Sequence, residues 1–293
     1  MKAILYMSLM MSLIASYPVL SNEYFYSDYK KGSHPILNTQ VEIESVFENI
    51  NDYLNKTIES PLDERITRIF IVRHTESEAN RLGINAGCMD FLLSEKGRND
   101  AEKLGENLAK NMDHLVIDAV YHTSLRRTSE TYQNMNKGWK KHRASELPTP
   151  QIADGLLEKN NGKLEGLRKE EYEPLKKKES QFLEKIDEFD ELFDYKIPEG
   201  GAEYESLHDV WNRAVININK IAQNHPGKNV LVISHVGTMR ALIVGGAASR
   251  ERPVTLNYRK FDIKNGSLLA VESNGAGIRV QAVSSFDYEK SKK

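Results

Sequence analysis

Two short apolar runs constrain the fold of this 293-residue chain more than any other feature. Ile69-Phe70-Ile71-Val72 and Val230-Leu231-Val232-Ile233 show no polar alternation and are mostly β-branched. Such runs suit strands covered on both faces, as in a parallel sheet with helices above and below it. The intervening segments fit that layout. Ser94-Glu95-Lys96-Gly97 opens a helix through about Lys110, with Ala101, Leu104 and Leu108 on one face. Ile117–Tyr121 reads as a second strand, and Ser124 as the cap of a helix running to about Asn136. Ile152–Leu157 reads as extended and Glu203–Ala222 as a helix. Thr238–Gly245 reads as a helix that stops at Gly245-Gly246. Further strands are expected near 256–263, 267–272 and 278–284. Strands alternating with helices predict an α/β chain, a three-layer α/β/α sandwich around a mostly parallel central sheet.

Composition excludes several classes of function. With 40 Lys+Arg against 42 Asp+Glu the net charge is −2. No global positive field exists to hold nucleic acid, and no nucleic-acid partner is expected. The single cysteine, Cys88, rules out a disulfide framework and a cysteine-only zinc site. His34, His114, His122, His142, His208 and His225 lack metal-ligand spacing and read as surface or packing residues, so no metal is expected from them, and no cofactor is expected either.

The chain divides by pattern. Residues 1–21 follow the grammar of a secretory signal peptide: Lys2, an apolar span Ala3–Ala15, the breaker Pro18, then Val19-Leu20-Ser21 before Asn22. The span is short for a membrane helix. The expected location is therefore exported, periplasmic or secreted, without stable membrane association after cleavage. The alternative is a cytoplasmic protein, or one anchored by residues 3–15. Residues 22–64 read as an extension with one packing helix, whose stripe is Val41, Ile43, Val46, Phe47, Ile50 and Leu54. The main domain covers 65–285, with a charged helical insertion at 168–196, and 286–293 is a polar tail. In that insertion Lys176-Lys177-Lys178 reads as solvated surface.

Chemistry concentrates at the strand ends. The first run leads directly into Arg73-His74 and the second into His235, while the Ile117–Tyr121 strand leads towards Arg126 and Arg127. Ligands of open α/β sheets bind at the carboxyl ends of parallel strands. Two histidines with two arginines make an anion site, because guanidinium matches phosphate bidentately and stays charged. Imidazole can attack phosphorus and later leave, so covalent catalysis is open to it. A proton donor for the leaving oxygen is then needed. Glu158, after an extended run and before a glycine turn, is the candidate, with Glu165 close by.

Arg73-His74-Thr75-Glu76-Ser77-Glu78-Ala79-Asn80 resembles the Arg-His-Gly-Glu-Ser-x-x-Asn signature of the histidine phosphatase superfamily, the phosphoglycerate mutase-like proteins. Gly87 to Gly97, Ser124 to Thr131, the Glu158–Gly166 loop and Ser234-His235-x-Gly237-x-x-Arg240 resemble later blocks of the same family, in order. The third block comes into register when Thr123 takes the place of its serine. The resemblance covers about residues 65–285. It implies a phosphoglycerate mutase-like fold and a metal-independent phosphomonoesterase acting on a small phosphorylated substrate. It further implies His74 as nucleophile, Glu158 as general acid and base, Arg73, Arg127 and His235 as the phosphate clamp, and Asn80 at the rim. Arg126 competes with Arg127 for its role.

The chain departs from the pattern where Thr75 replaces the usual glycine, a β-branched side chain that can crowd the phosphate. Val236 stands where many phosphatases have glycine. The Gly-Asn-Ser that follows the second histidine in mutases is missing, which favours a phosphatase. The alternatives are a bisphosphoglycerate-dependent phosphoglycerate mutase and a catalytically impaired phosphate-binding protein. A catalytic role for Cys88 is not expected beside a histidine nucleophile. Neither the substrate nor the oligomeric state is read from the sequence.

Overall fold

A computed structural model describes residues 36–37, 48–59, 62–183, 193–248, 255–256 and 263–284. The expected leader at 1–21 and tail at 286–293 lie outside these residues, as do parts of the extension and of the charged insertion. In chain order the elements are β1 (Ile36–Leu37), β2 (Glu48–Asn49), α1 (Ile50–Glu59), β3 (Thr67–Arg73), α2 (Glu78–Leu82) and α3 (Glu95–Asn111). There follow β4 (Ala119–His122), α4 (Arg126–Trp139), β5 (Gln151–Ile152), α5 (Lys169–Leu183) and α6 (Leu207–Asn224). The series closes with β6 (Asn229–Ser234), α7 (Val236–Ala248), β7 (Thr255–Leu256), β8 (Leu268–Ser273) and β9 (Ile278–Ser284).

The main sheet has the order β2-β9-β8-β3-β6-β4-β5. Strand β8 runs antiparallel to both neighbours, and every other pairing is parallel. β1 and β7 form a separate parallel pair. The expected fold class is the one observed, a mixed α/β fold on a mostly parallel sheet.

Strand alternation divides the core in two. Ile69, Ile71, Val230 and Val232 face the side covered by α6 and α7. Phe70, Val72, Leu231 and Ile233 face the side covered by α1, α3 and α4. Each of these eight side chains is almost fully buried, worth roughly 1.5–3 kcal/mol apiece relative to exposure. That double burial is why both runs lack polar positions.

Several boundaries differ from the sequence expectation. The stripe ending at Leu54 is helical only from Ile50. Glu48–Asn49 instead pairs with β9, and Val41, Ile43, Val46 and Phe47 lie outside the described residues. α4 is not capped by Ser124: its N-cap is Leu125, and the Ser124 N–H donates to Asp154 Oδ1 at 2.7 Å. Of the run expected as extended from Ile152 to Leu157 only Ile152 is strand, joined with Gln151 in β5, after which Asp154–Leu156 turn as a 3-10 helix and bury Leu156. Helix α7 does not stop at Gly245-Gly246. Gly245 lies under Trp211, whose ring a Cβ would meet at 2.3 Å, so this glycine serves packing rather than termination.

Helices α3 and α4 cross through two glycines. A Cβ on Gly105 would sit 2.0 Å from the Met135 carbonyl oxygen, and one on Gly138 would sit 1.8 Å from that of Glu102. Neither obstacle is a side chain that can turn away. Alanine is the better helix former by about 1 kcal/mol, so propensity alone makes Gly138→Ala stabilising. Overpacking against backbone costs about 1–3 kcal/mol. The expected outcome is a lowered urea midpoint with unchanged m-value; a raised midpoint would show that the helices separate freely.

Candidate active site

Parallel pairing of β3 with β6 sets Arg73 opposite Ser234, so the two strands end level. The next residue of each is a histidine. The His74 N–H donates to the Ser234 carbonyl oxygen at 3.0 Å and continues the ladder by one step. The His74 and His235 rings meet edge to face, centroids 5.3 Å apart.

His74 is buried, and its Nδ1 lies 2.7 Å from the Thr75 carbonyl oxygen. A carbonyl only accepts, so Nδ1 carries the proton and Nε2 keeps its lone pair. Asn265 Nδ2 donates to the His74 carbonyl oxygen at 2.9 Å and braces the backbone from the β8 side. Burial, then the charges of Arg127 and Arg73, holds the His74 pKa well below the ordinary histidine value. Burial and Arg127 do the same to His235. His235 is fully buried, with Nε2 2.9 Å from Thr123 Oγ1. Its Nδ1 has no hydrogen-bond partner among the described residues.

Arg127 enters from the first turn of α4 and is 1% exposed. Its Nη1 donates to the Met89 carbonyl oxygen and Nη2 to that of Gly87, which fixes the fork at the cavity wall. Arg126 points elsewhere: it pairs with Asp90 at 2.8 Å and is exposed. Of the two candidates only Arg127 lines the cavity. Arg73 lines it too, with Nη1 donating to the Ile263 carbonyl oxygen.

Glu158 reaches the cavity from the loop after β5. Its Oε1 accepts the N–H of Gly237 at 2.7 Å and that of Lys159 at 2.9 Å, which leaves Oε2 for a ligand. Glycine at 237 lets the carboxyl take this position, because a Cβ would stand 2.2 Å from Glu158 Oε1 and displace it. Glu165 is structural. Its Oε1 accepts from the Cys88 and Asn161 backbones, and it does not line the cavity. Burial and Glu165 push the Cys88 thiol up to about 11, so it stays protonated and poorly nucleophilic at neutral pH.

The cavity is about 300 Å³ and includes Arg73, His74, Asn80, Arg127 and Glu158 in its lining. Asn80 reaches its rim, with Oδ1 already engaged by the Ser77 N–H and hydroxyl in a capping box. Thr75 does not crowd the site. Its backbone keeps a negative φ, its N–H donates to Thr131 Oγ1 at 3.2 Å, and its hydroxyl lies against the same oxygen. Thr131 in turn donates to the Arg127 carbonyl oxygen.

Lys176 corrects the surface reading of the insertion. It is half-buried and lines the cavity from α5, whereas Lys177 and Lys178 are exposed. Tyr172, one helical turn earlier, lines the cavity as well. That i, i+4 pair was the available sequence signal. Arg240 and Lys159 add further cation to the lining. Among the described residues no cluster of histidine, cysteine or carboxylate is arranged to hold a metal, and no helix is long and apolar enough to cross a membrane.

Two buried histidines held neutral make stability depend on pH. Their folded pKa lies below the ordinary value of 6.5, so on acidification the unfolded chain takes up protons first. Their contribution is fully present above 6.5 and is lost as pH falls below it. The unfolding free energy is expected to fall between pH 7 and pH 5, with a shallower slope in a His74→Gln, His235→Gln double variant. Equal slopes would show that neither ring is held neutral.

The family model for the histidine phosphatase superfamily (branch 1) matches residues 69–285. A metal-independent phosphoserine phosphatase of Arabidopsis thaliana is 30% identical over 62% of this chain and 69% of its own length. Phosphoserine phosphatase 1 of Hydrogenobacter thermophilus is 29% identical over 60% and 74% respectively. In fold, the crystal structure of a phosphoglycerate mutase from Bacillus anthracis superposes with a TM-score of 0.56, covering 78% of this chain and 96% of that one at 20% identity. With residues 69–285 matched in one stretch, the chain belongs to the histidine phosphatase superfamily, branch 1, and is a histidine-phosphatase-type enzyme.

Proposed function

We propose that this enzyme is a metal-independent phosphomonoester hydrolase working through a phosphohistidine on His74. One observation carries the reading: His74 Nδ1 is tied to the Thr75 carbonyl oxygen, so Nε2 is the free nucleophile in a cavity that also holds Arg73, Arg127 and Glu158. The Nε2 lone pair attacks phosphorus and the bond to the ester oxygen breaks. Glu158 Oε2 gives its proton to the leaving alkoxide as it departs. The resulting carboxylate then takes a proton from water, whose oxygen attacks phosphorus. The P–N bond breaks, and its electron pair returns to Nε2. Arg73 and Arg127 meet the charge on the non-bridging oxygens, where preorganised cations in a dry site do most to lower the barrier.

The two alternatives fare differently. Thr75 is turned against Thr131 and away from the cavity, which removes the motive for calling the site impaired. Hydrolysis is favoured over mutase chemistry by Val236-Gly237-Thr238 standing where mutases carry Gly-Asn-Ser. Small phosphorylated acids such as phosphoserine, the substrate in the names of both curated relatives, are the first compounds to test.

Phosphoserine, phosphoglycerate and p-nitrophenyl phosphate, assayed with EDTA present, are expected to release inorganic phosphate at undiminished rates. Isomerised phosphoglycerate without free phosphate would replace the reading with a mutase. His74→Ala is expected to lose turnover to background, together with a protein-bound phosphate that survives base and is released by acid. Glu158→Gln should slow alkyl phosphates by about 10²-fold or more.

A further inference from the structure

Arg213 lies on α6 and contributes nothing to the cavity lining, yet all five of its N–H donors are engaged around the Glu158 loop. Nη1 donates to the carbonyl oxygens of Gly155 at 2.9 Å and Leu157 at 2.8 Å. Nη2 donates to the carbonyl oxygen of Glu158 itself at 3.0 Å. Nε and Nη2 also grip both oxygens of Glu205, at 2.8 and 2.9 Å. Glu205 Oε2 accepts the Asn160 N–H, and the Glu205 N–H donates to the Asn160 carbonyl oxygen. One guanidinium and one carboxylate thus fasten the loop on both sides of residue 158. Ser234 and Thr238 hold the carbonyls of Leu156 and Leu157 from the β6–α7 corner.

We infer that Arg213, clamped by Glu205, is a positioning residue that holds the Glu158 carboxyl at the leaving-group oxygen. The inference rests on the reading of Glu158 as general acid. Backbone carbonyls on a loop are ordinarily solvated and the loop free to shift. A planar fork that spans three of them removes that freedom without touching substrate. Lysine cannot replace it, since three donors on one atom cannot reach three carbonyls and a bidentate carboxylate together.

The readout is dependence on the leaving group, which a general weakening of the fold would not change. An alkyl phosphate needs its leaving oxygen protonated; p-nitrophenyl phosphate does not. In single-turnover reactions with excess enzyme, Arg213→Lys is expected to slow alkyl phosphate cleavage on the order of 10²-fold. Release of p-nitrophenol should stay within about threefold of the parent. Combined with Glu158→Gln, it should add no more than about threefold to the loss on alkyl phosphate, because both changes remove one function. Equal slowing of both substrates, or losses that multiply in the double variant, would overturn the inference. Glu205→Gln loosens the same clamp while keeping the guanidinium, and gives the same readout if Arg213→Lys does not fold. Should Glu158→Gln itself leave the alkyl-to-aryl ratio unchanged, the general acid is at fault rather than the clamp.

Discussion

The parallel register of β3 on β6 is the constraint on which the rest of the site depends. Because Arg73 pairs with Ser234, the two strands leave the sheet at one level, and the His74 N–H still finds the Ser234 carbonyl oxygen. Two imidazoles far apart in sequence come into edge contact without any loop having to bring them there. A slip of one residue would reverse every side chain on the strand and bury Ile69 and Ile71 on the wrong face. The apolar alternation that divides the core therefore also holds the histidines in place.

The site combines buried imidazoles with cations that backbone carbonyls hold in place. His74, His235 and Arg127 are all but inaccessible, and a buried guanidinium beside two imidazoles would be costly without acceptors. Arg127 spends donors on Met89 and Gly87 carbonyls, and His74 spends its one proton on Thr75. Both residues line the cavity. The same arithmetic holds for Glu158, where Oε1 is taken by two backbone N–H groups and Oε2 is left.

Much of this was legible in the chain. The strand runs, the histidines that follow them and the ordered motif blocks are local patterns, and they sufficed for the fold class and for bringing Arg73, His74, Asn80, Arg127 and Glu158 to one cavity, whereas His235 lies fully buried behind its lining. The boundaries that shifted did so through partners distant in sequence. Gly245-Gly246 has the look of a helix stop, but Trp211 from α6 packs on Gly245 and the helix runs on. Ser124 has the look of a cap, but Asp154 draws its backbone away. Lys176 differs from Lys177 and Lys178 only in which side of α5 faces the cavity.

The sequence by itself determined the sheet-centred architecture, the placing of arginine and histidine at the strand ends and the departure at Thr75, because burial on both faces, charge and residue type are written position by position. Only the tertiary structure showed that Arg127 and Glu158, and not Arg126 and Glu165, line the cavity. It alone showed that Thr75 packs against Thr131 outside the cavity lining and that Arg213 binds the Glu158 loop from a helix outside the cavity. Each of those outcomes turns on which donor meets which acceptor across tens of residues of chain. That pairing is set by the packing of α4, α6 and α7 on the sheet, and no local pattern encodes it.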